Sequence, residues 1–96
     1  MTEEKHVRTV EVTNPNGLHA RPAELFVKLA QQFNSQIEVV NNNVRADGKS
    51  ILSVLMLIAT QGSVLQIEAV GNDAQAALEA LVGLVKDDFA EPEAVQ

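Results

Sequence analysis

Ninety-six residues set the scale of one domain with a single modest core, and 46% apolar against 21% charged residues is the balance of a globular chain, not a disordered one. A formal net charge of -6 opposes general attraction to nucleic acid or anionic lipid, which are bound by neutralising phosphates with Lys and Arg. The absence of cysteine removes disulfides and thiolate metal ligands.

The N-terminal Thr2-Glu3-Glu4-Lys5 has neither the basic start nor the apolar core of a secretion signal. Residues 6–13 then alternate, with Val10 and Val12 on one side and Thr9, Glu11 and Thr13 on the other, which predicts a half-buried strand. Asn14-Pro15-Asn16-Gly17 combines three strong turn formers and ends it. Over residues 20–32, Ala23, Phe26, Val27, Ala30 and the following Phe33 recur at helical spacing. Pro22 is harmless only in a first turn, so this helix is expected to start close to His19.

Short strands at residues 37–40 and 44–46 flank Asn41-Asn42-Asn43, where asparagine's tolerance of left-handed backbone suits a tight antiparallel reversal. Asp47-Gly48-Lys49-Ser50 is a second turn. Ile51, Leu52, Val54, Leu55 and Leu57 then predict a brief apolar helix capped by Ser50. The longest apolar run, residues 51–59, is interrupted by Ser53 and is far short of the roughly 20 residues a membrane span needs.

In residues 64–70, Leu65, Ile67 and Ala69 alternate with Gln66 and Glu68 as a fourth strand. Asn72 or Asp73 is expected to cap a last helix whose stripe runs Ala74, Ala77, Leu78, Leu81, Val82, Val85 and Phe89. The tail from residue 91 has little to bury and is expected to fray. One domain over residues 1–96, with its core at residues 6–89, is the reading. The order βαββαβα suits an α+β fold: a four-stranded antiparallel sheet covered on one face by three helices, its other face carrying Glu and Gln to water. Order alone also admits a ferredoxin-like arrangement.

Chemistry concentrates in Gly17-Leu18-His19-Ala20-Arg21-Pro22-Ala23. A helix start offers N–H groups without intrahelical acceptors and partial positive charge, both favourable to an anion, and Arg21 adds charge-assisted hydrogen bonds to phosphate oxygens. Imidazole is the side chain that presents an unprotonated nitrogen near neutral pH. By residue type alone, His19 is equally a plain polar residue near a helix start, and Arg21 a surface charge. His6, at the head of the first strand without a neighbouring cation or glycine turn, is expected to be exposed, and the two histidines give no metal signature.

The run Asn16-Gly17-Leu18-His19-Ala20-Arg21-Pro22-Ala23 resembles the phosphorylation signature of the histidine-containing phosphocarriers (HPr family) of the bacterial phosphotransferase system, including their nitrogen-related branch. Lys49-Ser50-Ile51 resembles the motif around that family's regulatory serine, and the match extends from about Val7 to Phe89. The resemblance implies an open-faced β-sandwich and a relay, not an enzyme. His19 accepts a phosphoryl group on Nδ1 from an enzyme I-type donor charged by phosphoenolpyruvate and yields it to an enzyme IIA-type acceptor. Arg21 supports the phosphoryl group, with Gly17 and Ala20 shaping the helix start, and an HPr kinase acts on Ser50. It implies no cofactor and no metal. Lys49-Ser50 is nearer the sugar-transport carriers, while Leu55-Met56-Leu57 and the Ala-rich last helix are as near the nitrogen-related branch, so both pathways stay open.

Ser50 also has a structural explanation as the N-cap of the short helix. That helix carries more apolar residues than one face can bury. Ala20, Ile51, Leu52, Leu55 and Met56 are therefore expected to contribute to a docking patch ringed by Arg21, Lys28, Arg45 and Lys49, with Ile51 and Leu55 the better interface candidates. A carrier that meets two partners through one surface is expected to be a cytoplasmic monomer. An RNA-binding module is disfavoured, because such sheets stack bases on aromatics and this chain has no Trp or Tyr. A regulatory domain that binds an anion reversibly at the same helix start is the remaining alternative.

Overall fold

A computed structural model of the chain describes residues 4–90. It contains β1 (Lys5–Glu11), α1 (Ala20–Ala30), β2 (Gln36–Asn41), β3 (Val44–Asp47), α2 (Ile51–Leu55), β4 (Val64–Val70) and α3 (Ala74–Lys86). The strands form one antiparallel sheet in the order β1-β4-β2-β3. The tail from residue 91, expected to fray, and the N-terminal residues 1–3 lie outside the described residues.

Register follows the apolar alternation. Val10 stands opposite Leu65, Ile67 opposite Val39, and Ala69 opposite Ile37. All six are buried on the face that the helices cover. A slip of one residue would turn this entire set to water, so the pattern fixes the pairing. Phe26, Leu78, Leu81, Val85 and Val54, from all three helices, complete the core.

The β2–β3 reversal uses Asn42 and Asn43, with φ of 50° and 69°. Two consecutive left-handed residues match the twist of antiparallel strands, the geometry for which asparagine is suited. β1 stops at Glu11 instead of Thr13, yet Val12 stays fully buried. Its N–H donates to Ser63 (2.8 Å) and its carbonyl accepts from Gly62 (2.7 Å), outside the ladder. α1 ends two residues early because Gln32 and Phe33 bond to Leu29 and Ala30, three residues back, which tightens the final turn.

Four side-chain expectations are corrected. Asp73 stands at the start of α3, but its side chain makes no cap bond. Its carboxylate instead accepts from the Asn34 N–H (2.8 Å), the Ser35 N–H (2.9 Å) and the Ser35 hydroxyl (2.5 Å). Three donors from the α1–β2 turn outweigh the single bond available at its own helix, and they hold its pKa below the ordinary carboxylate value, the Ser35 hydroxyl first. His6 is half-buried, because its alternation phase turns it toward the helices opposite Ala69.

Glu68 lies on the open face but is only 4% exposed. It accepts from Arg45 (2.7 Å) and Gln66 (2.8 Å) and pairs with Lys5 (3.3 Å), whose long side chains screen it from water. Arg45, which also donates to Glu38 at 2.6 Å, therefore belongs to the open face and not to a ring around the α2 patch.

Candidate functional site at the start of α1

The chain reaches α1 through a turn that only glycine fits. Gly17 has φ +63°, and a Cβ there would meet the Ala59 carbonyl oxygen at 2.4 Å. The Gly17 N–H donates to Asn14 (3.1 Å), the Asn14 side-chain amide donates back to the Gly17 carbonyl (2.9 Å), and the Leu18 N–H donates to Ala59 (3.0 Å). Leu18 is thereby buried, and the next residue, His19, is turned outward.

His19 is the N-cap of α1, with extended backbone (φ -79°, ψ -171°). Its carbonyl accepts from the Ala23 N–H at 2.9 Å, but its ring makes no capping hydrogen bond. The imidazole is thus exposed and unspent on the helix. The first turn contains no acidic residue, so the positive end of the helix is not neutralised there.

His19 opens onto a shallow depression of about 440 Å³ shared with Asn16, Leu18, Ala20, Leu55, Ile58, Ala59 and Thr60. Arg21, exposed two residues further on, hydrogen-bonds Glu24, and Lys28 reaches the same carboxylate at 3.5 Å. Arg21 first, then Lys28, hold the Glu24 carboxyl below the usual carboxylate range. Glu24 therefore offsets part of the cationic charge expected beside the docking patch.

On α2, Ser50 is the N-cap and its hydroxyl accepts from the Ser53 N–H at 3.4 Å, a long bond. Lys49 is half-buried. Its ammonium donates to the Phe33 carbonyl (2.6 Å), while its own carbonyl accepts from Gln31 (3.1 Å), so it ties the end of α1 to the turn before α2. Val54 fills the core and Leu55 packs partly against it.

On and just after α2 the exposed large apolar residues are Leu52 and Met56 (72% each) and Ile58 (77%), with Ile51 at 38%. Of the anticipated pair, Ile51 is thus at the margin and Leu55 is half-buried. The outward face belongs to Leu52 and Met56, because Val54 anchors the helix from the opposite side. The structure brings His19, Ala20 and Leu55 into one depression and packs α1 against α2.

Sequence reading missed Ile58, Ala59 and Thr60. The only available signal was that the Asn14–Gly17 turn needs a packing partner, and nothing local names it.

The family described as "PTS HPr component phosphorylation site" matches residues 6–87. The phosphocarrier protein HPr of Neisseria meningitidis serogroup A is 40% identical over 86 residues, covering 90% of this chain and 97% of its own. That of Haemophilus influenzae is 45% identical over 78 residues, covering 81% and 92%. The crystal structure of HPr-C-His from Thermoanaerobacter tengcongensis superposes with a TM-score of 0.86 at 42% identity, over 92% of this chain and 99% of that one. With a family match spanning most of its length and relatives covered almost end to end, this chain belongs to the HPr family of phosphocarriers of the phosphotransferase system.

Proposed function

We propose that His19 carries the phosphoryl group. The observation that supports this reading is an exposed imidazole at the positive start of α1, not engaged in capping, with Arg21 two residues on in the first turn and an open depression that a partner can enter. In the step proposed, the Nδ1 lone pair of neutral His19 attacks phosphorus on the donor protein. The donor's bond to phosphorus breaks as the Nδ1–P bond forms, and the reverse sequence on an acceptor regenerates neutral imidazole. The donor is an enzyme I charged by phosphoenolpyruvate, and the acceptor is an enzyme IIA-type protein.

Arg21 orients the phosphoryl group and screens its charge without holding it so tightly that unloading slows. Gly17 shapes the turn that presents the ring, and Ala20, exposed beside it, leaves the approach uncluttered. Ala20, Leu52, Leu55 and Ile51 supply apolar contact area, and Lys28 contributes charge. Ser50 is the proposed regulatory position: a phosphate there suits the positive end of α2 but adds about -2 charge beside the docking face. Its effect falls on docking, not on folding. The carrier acts in the cytoplasm as a monomer, and the chain forms one domain with its core at residues 6–89.

Radiolabelled phosphoenolpyruvate with purified enzyme I tests the reading. Wild type should take up acid-labile label and release it to an enzyme IIA, whereas His19→Ala should take up none. Label retained by His19→Ala would move the acceptor site elsewhere.

A further inference from the structure

Ile58 combines two properties that are individually unfavourable. Its backbone is left-handed, φ +50°, although it is β-branched. Side chains of that shape are crowded there, and glycine or asparagine adopts the same conformation with less strain. It is also the most exposed large apolar side chain among the described residues, at 77%. Its N–H donates to the Leu55 carbonyl at 3.2 Å and so closes α2, a backbone task that glycine performs as well. Neither the strain nor the exposure is offset by packing within the chain.

Both unfavourable properties occur on the rim of the depression that contains His19, where Ile58 stands beside Leu55 and Ala59. Any protein that brings phosphorus within bonding reach of the His19 ring must cover that rim. Leu52 on α2 and Met56 at its C-cap are exposed as well, so the segment that carries Ile58 offers further apolar surface to a partner that covers His19.

We propose that Ile58 is a specificity-determining residue for phosphoryl transfer, accommodated by an apolar recess beside the phosphorylated residue of the phosphoryl-donor protein. The inference rests on the phosphocarrier reading above and deepens it. A donor with a flat or charged surface at that place is refused, because seating it would strand the isoleucine against polar groups. Local strain is retained because it aims an apolar side chain at the partner, in line with the clustering of strained backbone at functional sites.

The test measures phosphoryl uptake from phosphoenolpyruvate through purified enzyme I, with this protein as the varied substrate. Ile58→Gly and Ile58→Asn both accept left-handed backbone, and Ile58→Val keeps the β-branched apolar shape. Gly and Asn are expected to raise KM about fivefold or more while kcat changes by less than about twofold, and Val to restore most of the loss. The Tm of the Gly and Asn variants should equal or exceed that of wild type. The rate through enzyme I should fall relative to the rate with phosphoramidate, a small phosphoryl donor that makes no docking contact.

Unchanged KM in the Gly and Asn variants, or a Val variant as impaired as Gly, overturns the assignment while leaving the carrier reading intact. Wild type that takes no phosphate from enzyme I overturns the carrier reading and this inference with it.

Discussion

The α-carbon of Gly17 approaches the Ala59 carbonyl so closely that a Cβ would lie 2.4 Å from its oxygen. The contact joins the loop that delivers His19 to the segment that follows α2, and it is backbone against backbone, so no side-chain rotation relieves it. Gly17→Ala adds a left-handed penalty to the clash. It should lower stability by about 3 kcal/mol in urea unfolding and slow phosphoryl uptake as the loop shifts. Wild-type stability in that variant would mean that the loop adjusts freely.

Arg21 and Lys28 share the Glu24 carboxylate, so the guanidinium expected to steady a phosphoryl group already has an anionic partner. Arg21→Ala should slow both loading and unloading of His19 by more than about tenfold, and Arg21→Lys should recover only part, since a forked donor is replaced by a point charge. Glu24→Gln removes the competing carboxylate and should lengthen the lifetime of the phosphohistidine. Phosphorus NMR of the loaded protein follows both effects. Unchanged loading and unloading rates in Arg21→Ala would remove Arg21 from the mechanism.

The Asp73 carboxylate, bonded to two N–H groups and a hydroxyl of the α1–β2 turn, has a folded pKa below its unfolded value. Its contribution is therefore present above the unfolded carboxylate pKa and is lost as pH falls through the folded one. Asp73→Ala should lower Tm at pH 7 by more than about 5 °C. The same substitution at a pH below the folded pKa should cost much less, which differential scanning calorimetry at both pH values resolves.

Glu68 makes a parallel case on the open face, where Arg45 first, with Lys5 and Gln66, holds its pKa down against the cost of burial. Glu68→Gln should destabilise the protein by about 1–2 kcal/mol at neutral pH, the half-exposed Arg45 and Lys5 limiting the effect through solvent screening. The stabilisation is lost as pH falls through the folded pKa of Glu68. Equal urea midpoints for the two proteins at pH 7 would show that the network contributes nothing.

What sequence could and could not convey divides along chain distance. The strand phases of Val10 and Leu65, the asparagine reversal, the Ser50 cap and the helix start at His19 all depend on neighbours a few residues away. Each therefore leaves a local pattern. Asp73 and Ser35, or Glu68 and Arg45, meet only after the sheet has formed, so a capping residue and a solvated glutamate were the natural local readings. The outward turn of Leu52 and Met56 was hidden because nearly every nearby position is apolar, Ser53 apart, and the burial of Val54 sets the phase. The left-handed backbone of Ile58 was hidden more deeply, since isoleucine is among the residues least expected to adopt it.

The most direct test of the central claim is the intact mass of the protein after incubation with phosphoenolpyruvate and enzyme I, wild type beside His19→Ala. A gain of one phosphate in wild type alone, lost on acid treatment, is the result expected of a phosphocarrier that works through His19. The same gain in His19→Ala, or none in wild type, would contradict it.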